Sequence, residues 1–212
     1  MQAVSLRDAG NATPAPQRRS GGDLSPPAPP PGCADESWLL RTGYRASVRP
    51  LSPASRPLIA AAMARLSPES SRRRFLTPRF RLSDQELAHL TGVDGVRHVA
   101  FGVCGHDSGG AAEGIAVARF VRDAHDPRVA ELALTVIDEF QGLGLGKRML
   151  GRLAASAQKG GVERLRALIV PDNAPVLGLL RKYAPGARFA FDGELYVADI
   201  PVPALMQALP AA

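Results

Sequence analysis

Aromatic side chains are scarce here, making up 5% of 212 residues. A protein that reads nucleic acid by stacking bases interleaves aromatics with its basic residues, so that class is disfavoured. The net charge of +6 and the pI near 10 still call for an anionic ligand or partner. A phosphate-rich small molecule answers that field as well as a polynucleotide does. Cysteine is equally sparse. Cys33 lies in a Pro-rich stretch and Cys104 in an apolar, strand-like run, a pairing that argues against a disulfide and for a reducing compartment. His89, His98, His106 and His125 are scattered without ligand spacing, which argues against a metal site. No apolar run approaches the ~20 residues of a membrane span, and residues 1–37 hold no apolar h-region of a signal peptide. The expected location is cytoplasmic.

Proline is abundant but uneven, with many of the 19 falling before residue 32. Residues 1–37 have too little apolar surface to offset their ordering entropy and are expected to be disordered. One folded domain is expected over 38–205, followed by a flexible tail at 206–212. Strands and helices alternate within it. Residues 44–51 read as a strand ending at Ser52-Pro53, and 53–66 as a helix carrying Leu58, Ile59, Ala62, Met63 and Leu66. Ser67-Pro68-Glu69 and Ser83-Asp84-Gln85-Glu86 carry helix-start signals. Strands follow at 98–105, 113–121 and 129–137, separated by turn residues that imply an antiparallel meander. A helix over 146–159, a strand over 164–170, a helix over 173–183 and one or two strands over 188–200 complete an α/β domain with a mixed sheet.

The most informative stretch is the turn between the third meander strand and the following helix: Gln141-Gly142-Leu143-Gly144-Leu145-Gly146-Lys147-Arg148. Glycine lets the backbone approach an anion closely, and the unpaired N–H groups at a helix start point toward it. Lys147 and Arg148 add positive charge, so the arrangement suits a pyrophosphate. It is not a Walker A loop, because Gly142 stands one residue too near Gly146 and Arg148 replaces the Mg²⁺-binding hydroxyl. It is not the dinucleotide fingerprint either, because the third glycine comes one residue early and the turn lies late in the chain.

The stretch resembles the acetyl-CoA motif of the GNAT superfamily of N-acetyltransferases, Gln/Arg-x-x-Gly-x-Gly/Ala, read here from Gln141 to Gly146. Asn173 opening the next helix matches the family's continuation, and the resemblance spans roughly 44–200. It implies a GNAT-like fold with a central, mostly antiparallel sheet flanked by helices, and acetyl-CoA as cosubstrate. The backbone of Val136 would hold the pantetheine arm, and residues 141–147 with Asn173 would hold the rest. Within the superfamily, Ala130-Glu131-Leu132-Ala133-Leu134-Thr135-Val136 and Leu66-Ser67-Pro68-Glu69-Ser70 are similar to segments of bacterial Pat-type protein lysine acetyltransferases.

Glu131 stands inside an apolar strand, where burial would raise its pKa toward neutrality and suit it to general-base work. In the resembling enzymes the matching glutamate has that role. A salt bridge to Arg119 on the neighbouring strand is the alternative. The resemblance also implies direct attack of the amine on bound acetyl-CoA, with Tyr183 as a candidate acid for the departing thiolate. Cys104 has no supporting His or Asp for a nucleophile role and reads as a small strand hydrophobe. His106-Asp107-Ser108 cannot form a triad from adjacent positions and reads as a hairpin turn. Arg72, Arg73, Arg74, Arg79 and Arg81 either attract an acidic surface or the cofactor's 3′-phosphate, or form a solvated helix face. The acceptor is expected to be a protein lysine, with a small-molecule amine close behind. A non-catalytic acyl-CoA-binding regulator would not need Glu131. Self-association stays open, and no membrane partner is expected.

Overall fold

The computed structural model describes residues 36–76, 81–106 and 112–209. Its strands are β1 (Glu36–Leu39), β2 (Arg45–Pro50), β3 (His98–His106), β4 (Ala112–Arg122), β5 (Val129–Val136), β6 (Arg164–Ile169), β7 (Arg188–Phe191) and β8 (Tyr196–Pro201). Its helices are α1 (Arg56–Ala64), α2 (Pro68–Phe75), α3 (Asp84–Thr91), α4 (Leu145–Lys159), α5 (Ala174–Tyr183) and α6 (Val202–Ala208). The strands form one sheet in the order β1-β2-β3-β4-β5-β6-β8-β7. Every neighbouring pair is antiparallel except β5 and β6. This is the mixed, mostly antiparallel sheet flanked by helices that the sequence implied.

Burial follows from where the helices sit. β4 and β5 are apolar on both faces because both faces are covered. On one face α1 and α3 pack Ile59, Ala62, Met63, Leu87 and Leu90 against Ala100 and Val117. On the other, the apolar stripe of α4 (Met149, Leu150, Leu153, Ala154, Ala157) packs against Phe120, Leu132 and Leu165. Helix ends obey local chemistry. Ser67 caps α2 by accepting the Ser70 N–H at 3.1 Å, and Ser83 and Glu86 form a reciprocal capping box on α3. Gly161, at φ +78°, supplies the left-handed residue that ends α4.

Two boundaries differ from the sequence reading. Strand β1 includes Glu36 and Ser37, which the sequence reading assigned to the arm: buried Trp38 donates its indole N–H to Glu36 at 2.6 Å, and Glu36 also pairs with Arg152 of α4. Residues 206–209, assigned to the tail from sequence, pack onto the domain. Residues 202–208 form α6, which buries Leu205 and Leu209 against α4, and Gly151 is the close-approach point beneath Leu209.

Candidate active site

β5 and β6 pair only at Val129–Arg164, Ala130–Leu165 and Glu131–Arg166, then diverge. Beyond Glu131 one edge of β5 therefore has no strand beside it. Ile137 donates to Ile115 at one end of the β4–β5 ladder, and Asp123 donates to Val129 at the other. Antiparallel alternation then assigns the odd-numbered β5 residues to β4. Leu132, Leu134 and Val136 consequently turn their N–H and C=O groups into the gap, where an extended ligand can pair with them as a strand would.

The gap opens into a cleft of about 560 Å³. Leu134, Thr135 and Val136 form one wall, and Val176, Leu179 and Tyr183 of α5 form the other. At its mouth lies the glycine turn. Gly142 and Gly144 take φ values of +75° and +89°, the left-handed region open to glycine, and a Cβ on either would meet nothing within 4 Å. Gly144 is the N-cap of α4, and the first intrahelical bond there runs from Arg148 to Gly144 at 3.2 Å. The amides of Leu145, Gly146 and Lys147 are thereby left without intrahelical partners, a ready anion site. Lys147 and Lys182 each place an ammonium 5.2 Å from the Tyr183 ring centroid. A pyrophosphate and a neighbouring phosphate fit this cradle in shape and charge.

Helix α2 straps the two loops that flank the gap. Asp138 accepts from the Ser67 N–H at 3.0 Å, the Ser67 hydroxyl at 2.8 Å and the Ser70 hydroxyl at 2.6 Å. Burial works to raise the Asp138 pKa, but the bonds from Ser70 and Ser67 outweigh it and hold the carboxyl below its ordinary value. Gln141 donates to the Val136 carbonyl at 3.2 Å, folding the turn back onto the strand. On the other side Arg72 pairs with the Asp172 carboxylate, and Arg73 donates to the Asp172 carbonyl at 3.1 Å.

Glu131 lies deeper on β5, four residues or roughly 13 Å before Thr135. Its Oε1 is buried with no hydrogen-bond partner. Burial raises its pKa above the ordinary carboxylate value, while Arg119 and then Arg74 act in the opposite direction. Arg119 is 2% exposed and Arg74 5% exposed, yet neither makes an ion pair with Glu131. The direct Glu131–Arg119 salt bridge weighed from the sequence is therefore absent. Burial lowers the Arg74 pKa to about 9 and that of Arg119 to about 10, so both remain charged at neutral pH.

Of the residues singled out from sequence, Val136, Gln141, Gly142, Gly144, Leu145 and Gly146 line the cleft, as do Lys147, Asn173 and Tyr183. Leu143 does not; it packs half-buried against the core. Glu131 is not itself a cleft wall, but Arg74, whose charge acts on it, is. Asn173 is 5% exposed and caps α5 by accepting the Val176 N–H at 3.3 Å. The arginine run divides its work: Arg72 and Arg73 hold the Asp172 loop, Arg74 is buried, and Arg79 lies outside the described residues. Sequence reasoning missed Arg41, Ser70 and Thr135 as cleft residues and Asp138 as the anchor of the turn. The Ser67-x-x-Ser70 pattern was the available signal for that anchor, but its partner is 68 residues away from Ser70. Among the described residues no helix is long and apolar enough to cross a membrane.

An opened strand edge and an anion cradle at a helix N-terminus thus lie along one cleft. The chain belongs to the acetyltransferase (GNAT) family, whose model matches residues 61–184. It is 34% identical over 134 residues to Acetyltransferase Pat of Mycolicibacterium smegmatis, a match covering 63% of this chain and 39% of that protein. It is 28% identical over 132 residues to Acetyltransferase PA5475 of Pseudomonas aeruginosa, covering 61% and 70% of the two chains. Among solved structures, the GNAT domain of S. lividans PAT superposes with a TM-score of 0.70 at 27% identity, over 79% of this chain and 96% of that one. The cAMP-binding acyltransferase from Mycobacterium smegmatis gives 0.54 at 26% identity, over 84% and 56%. The chain thus spans well under half of Pat and little more than half of the cAMP-binding acyltransferase.

Proposed function

We propose that the chain transfers the acetyl group of acetyl-CoA to the ε-amine of a protein lysine, with Glu131 as general base. The observation that carries this reading is the half-buried Glu131, its Oε1 buried and without a hydrogen-bond partner, on the strand whose free edge opens into the cleft. The first-turn amides of α4 and Lys147 would hold the pyrophosphate, and the gap-facing groups of Val136 and Leu134 the pantetheine arm. Bound acetyl-CoA supplies an electrophilic thioester carbonyl. Glu131 accepts the proton of the acceptor ammonium, and the neutral amine then adds to that carbonyl. An N–H turned into the gap stabilises the oxyanion, an effect worth about 3 kcal/mol per donor in comparable sites. Collapse breaks the C–S bond, and Tyr183, in the cleft wall, donates its hydroxyl proton to the CoA thiolate. The surplus proton on the acylated nitrogen passes through water to restore Tyr183, leaving the neutral amide. The raised pKa makes Glu131 a stronger base than an ordinary carboxylate, and the absence of a bonded cation leaves its lone pairs open.

The lysine acceptor rests on the relatives named Pat and PAT. The test is mass spectrometry of a panel of proteins, lysine peptides and small amines after incubation with acetyl-CoA and either the wild type or Glu131→Gln. Acetylation of lysine side chains by the wild type alone is expected. Acetylation confined to small amines would overturn the acceptor, and equal activity of the variant would overturn the base.

A further inference from the structure

We infer that Arg119 is a positioning residue: it holds the Glu131 carboxylate ionised from a distance, with Arg74 completing the charged surround from α2. The inference rests on Glu131 being the base. In the β4–β5 ladder Arg119 stands opposite Ala133 and Val121 opposite Glu131, so Arg119 is the diagonal neighbour of Glu131 on the same face. Arg74 comes from α2, which packs against β5, and among the described residues Glu131 is the carboxylate whose charge acts on both guanidinia.

The unusual feature is what these groups leave undone. Arg119 has Nε and Nη1 buried and unpartnered, Arg74 has Nη1, and Glu131 has Oε1. Elsewhere in the chain an arginine near a carboxylate closes on it, as Arg65 does on Glu113 at 2.7 Å. A fork-to-carboxylate pair would occupy the lone pairs of Glu131 and bar it from taking a proton. Separated charges keep the carboxylate ionised against burial and leave those lone pairs available.

The other titratable groups along this row of the sheet do not supply this effect. His98 of β3 is buried, has its pKa lowered to about 4 by burial and by Arg119, and is neutral at neutral pH. His89 of α3 stacks on His98 at 5.8 Å and is likewise shifted downward, mainly by burial. Arg166 of β6 is in register with Glu131, but it is exposed and is engaged with Asp199 of β8 at 3.7 Å. Asp123, beyond β4, lies near Arg166 rather than Glu131.

The experiment is the pH profile of kcat/KM for wild type, Arg119→Met and Arg119→Lys with one acceptor. In Arg119→Met the acid limb should move to higher pH, a loss of about tenfold or more on the acid side with a change under about threefold on the alkaline plateau. Arg119→Lys should restore most of the limb. An unmoved limb, or an equal loss at every pH that Lys does not rescue, would overturn the inference. Should Arg119→Met fail to fold, the infrared difference between wild type and Glu131→Gln reads the carboxylate directly. An ionised Glu131 at neutral pH that becomes protonated in Arg74→Met is expected, whereas a protonated Glu131 in the wild type contradicts the inference. Full turnover by Glu131→Gln would overturn the base and the positioning role with it, whereas an unmoved limb beside an inactive Glu131→Gln would overturn the role of Arg119 alone.

Discussion

Alanine at Gly144 should harm this protein more than alanine at Gly146, although the two glycines lie two residues apart. Gly144 sits at φ +89° and ψ 1°, and an added Cβ would find open space, so the whole penalty is conformational. Placing an L-residue there costs roughly 1–2 kcal/mol, partly offset by the ~0.4–1 kcal/mol that Ala removes from the unfolded chain's entropy. A net loss near 1 kcal/mol lowers Tm by about 2–4 °C in a domain of this size. Gly146 lies within α4, where Ala is the better helix former by roughly 0.8–1 kcal/mol. Its Cβ would meet Leu179 Cδ2 at 3.4 Å, an ordinary contact. Gly146→Ala should therefore be neutral or mildly stabilising. For acetyl-CoA the gap between the variants widens, since relaxing Gly144 turns the first amides of α4 away from the pyrophosphate. Losing one charge-assisted bond of about 1.5–3 kcal/mol weakens Kd by roughly tenfold or more. Thermal denaturation and titration calorimetry read both quantities. A Gly146→Ala variant less stable than Gly144→Ala, or wild-type acetyl-CoA affinity in Gly144→Ala, would refute the reasoning.

Three further outcomes are expected. Because burial raises the Glu131 pKa, its ionised form opposes folding at neutral pH and its protonated form does not. Glu131→Gln should melt higher than wild type at neutral pH, and the difference should close as pH falls through the raised pKa; a lower melting temperature would contradict this. Asp138→Ala removes three hydrogen bonds and should cost about 1–3 kcal/mol in chemical denaturation while weakening acetyl-CoA binding. The depressed pKa of Asp138 makes its stabilisation full above the ordinary carboxylate value and lost as pH falls through the folded one. Leu205→Ala, at a fully buried position beneath α4, should cost about 2–5 kcal/mol; a loss near zero would mean that α6 is dispensable.

The legible parts of the sequence were those with local causes. The period-2 and 3.6-residue apolar patterns marked β3 to β6 and α4 with α5, and the alternating glycines marked the anion cradle. Ser83 and Glu86 announced the capping box of α3 three residues apart. What escaped depends on contacts distant in the chain. β1 was hidden because Glu36, which holds the Trp38 indole, is fixed by Arg152, 116 residues away, within a stretch whose Pro-rich beginning dominated the reading. α6 was hidden because Val202-Pro203-Ala204-Leu205 reads as a short apolar end until α4 offers it a surface. Glu131 stood out as a charge in an apolar strand, and Arg119 as its neighbour. That the two approach without touching could not be read from spacing, because it depends on where α2 places Arg74.

The most direct measurement is the steady-state release of CoA thiol with an acceptor lysine, wild type against Glu131→Gln, beside calorimetric titration of both with acetyl-CoA. Near-equal acetyl-CoA affinity with acceptor-dependent turnover lost by about a hundredfold or more in the variant is the result predicted. Turnover retained in Glu131→Gln would contradict the assignment of the base, and failure of the wild type to bind acetyl-CoA would contradict the cleft's role altogether.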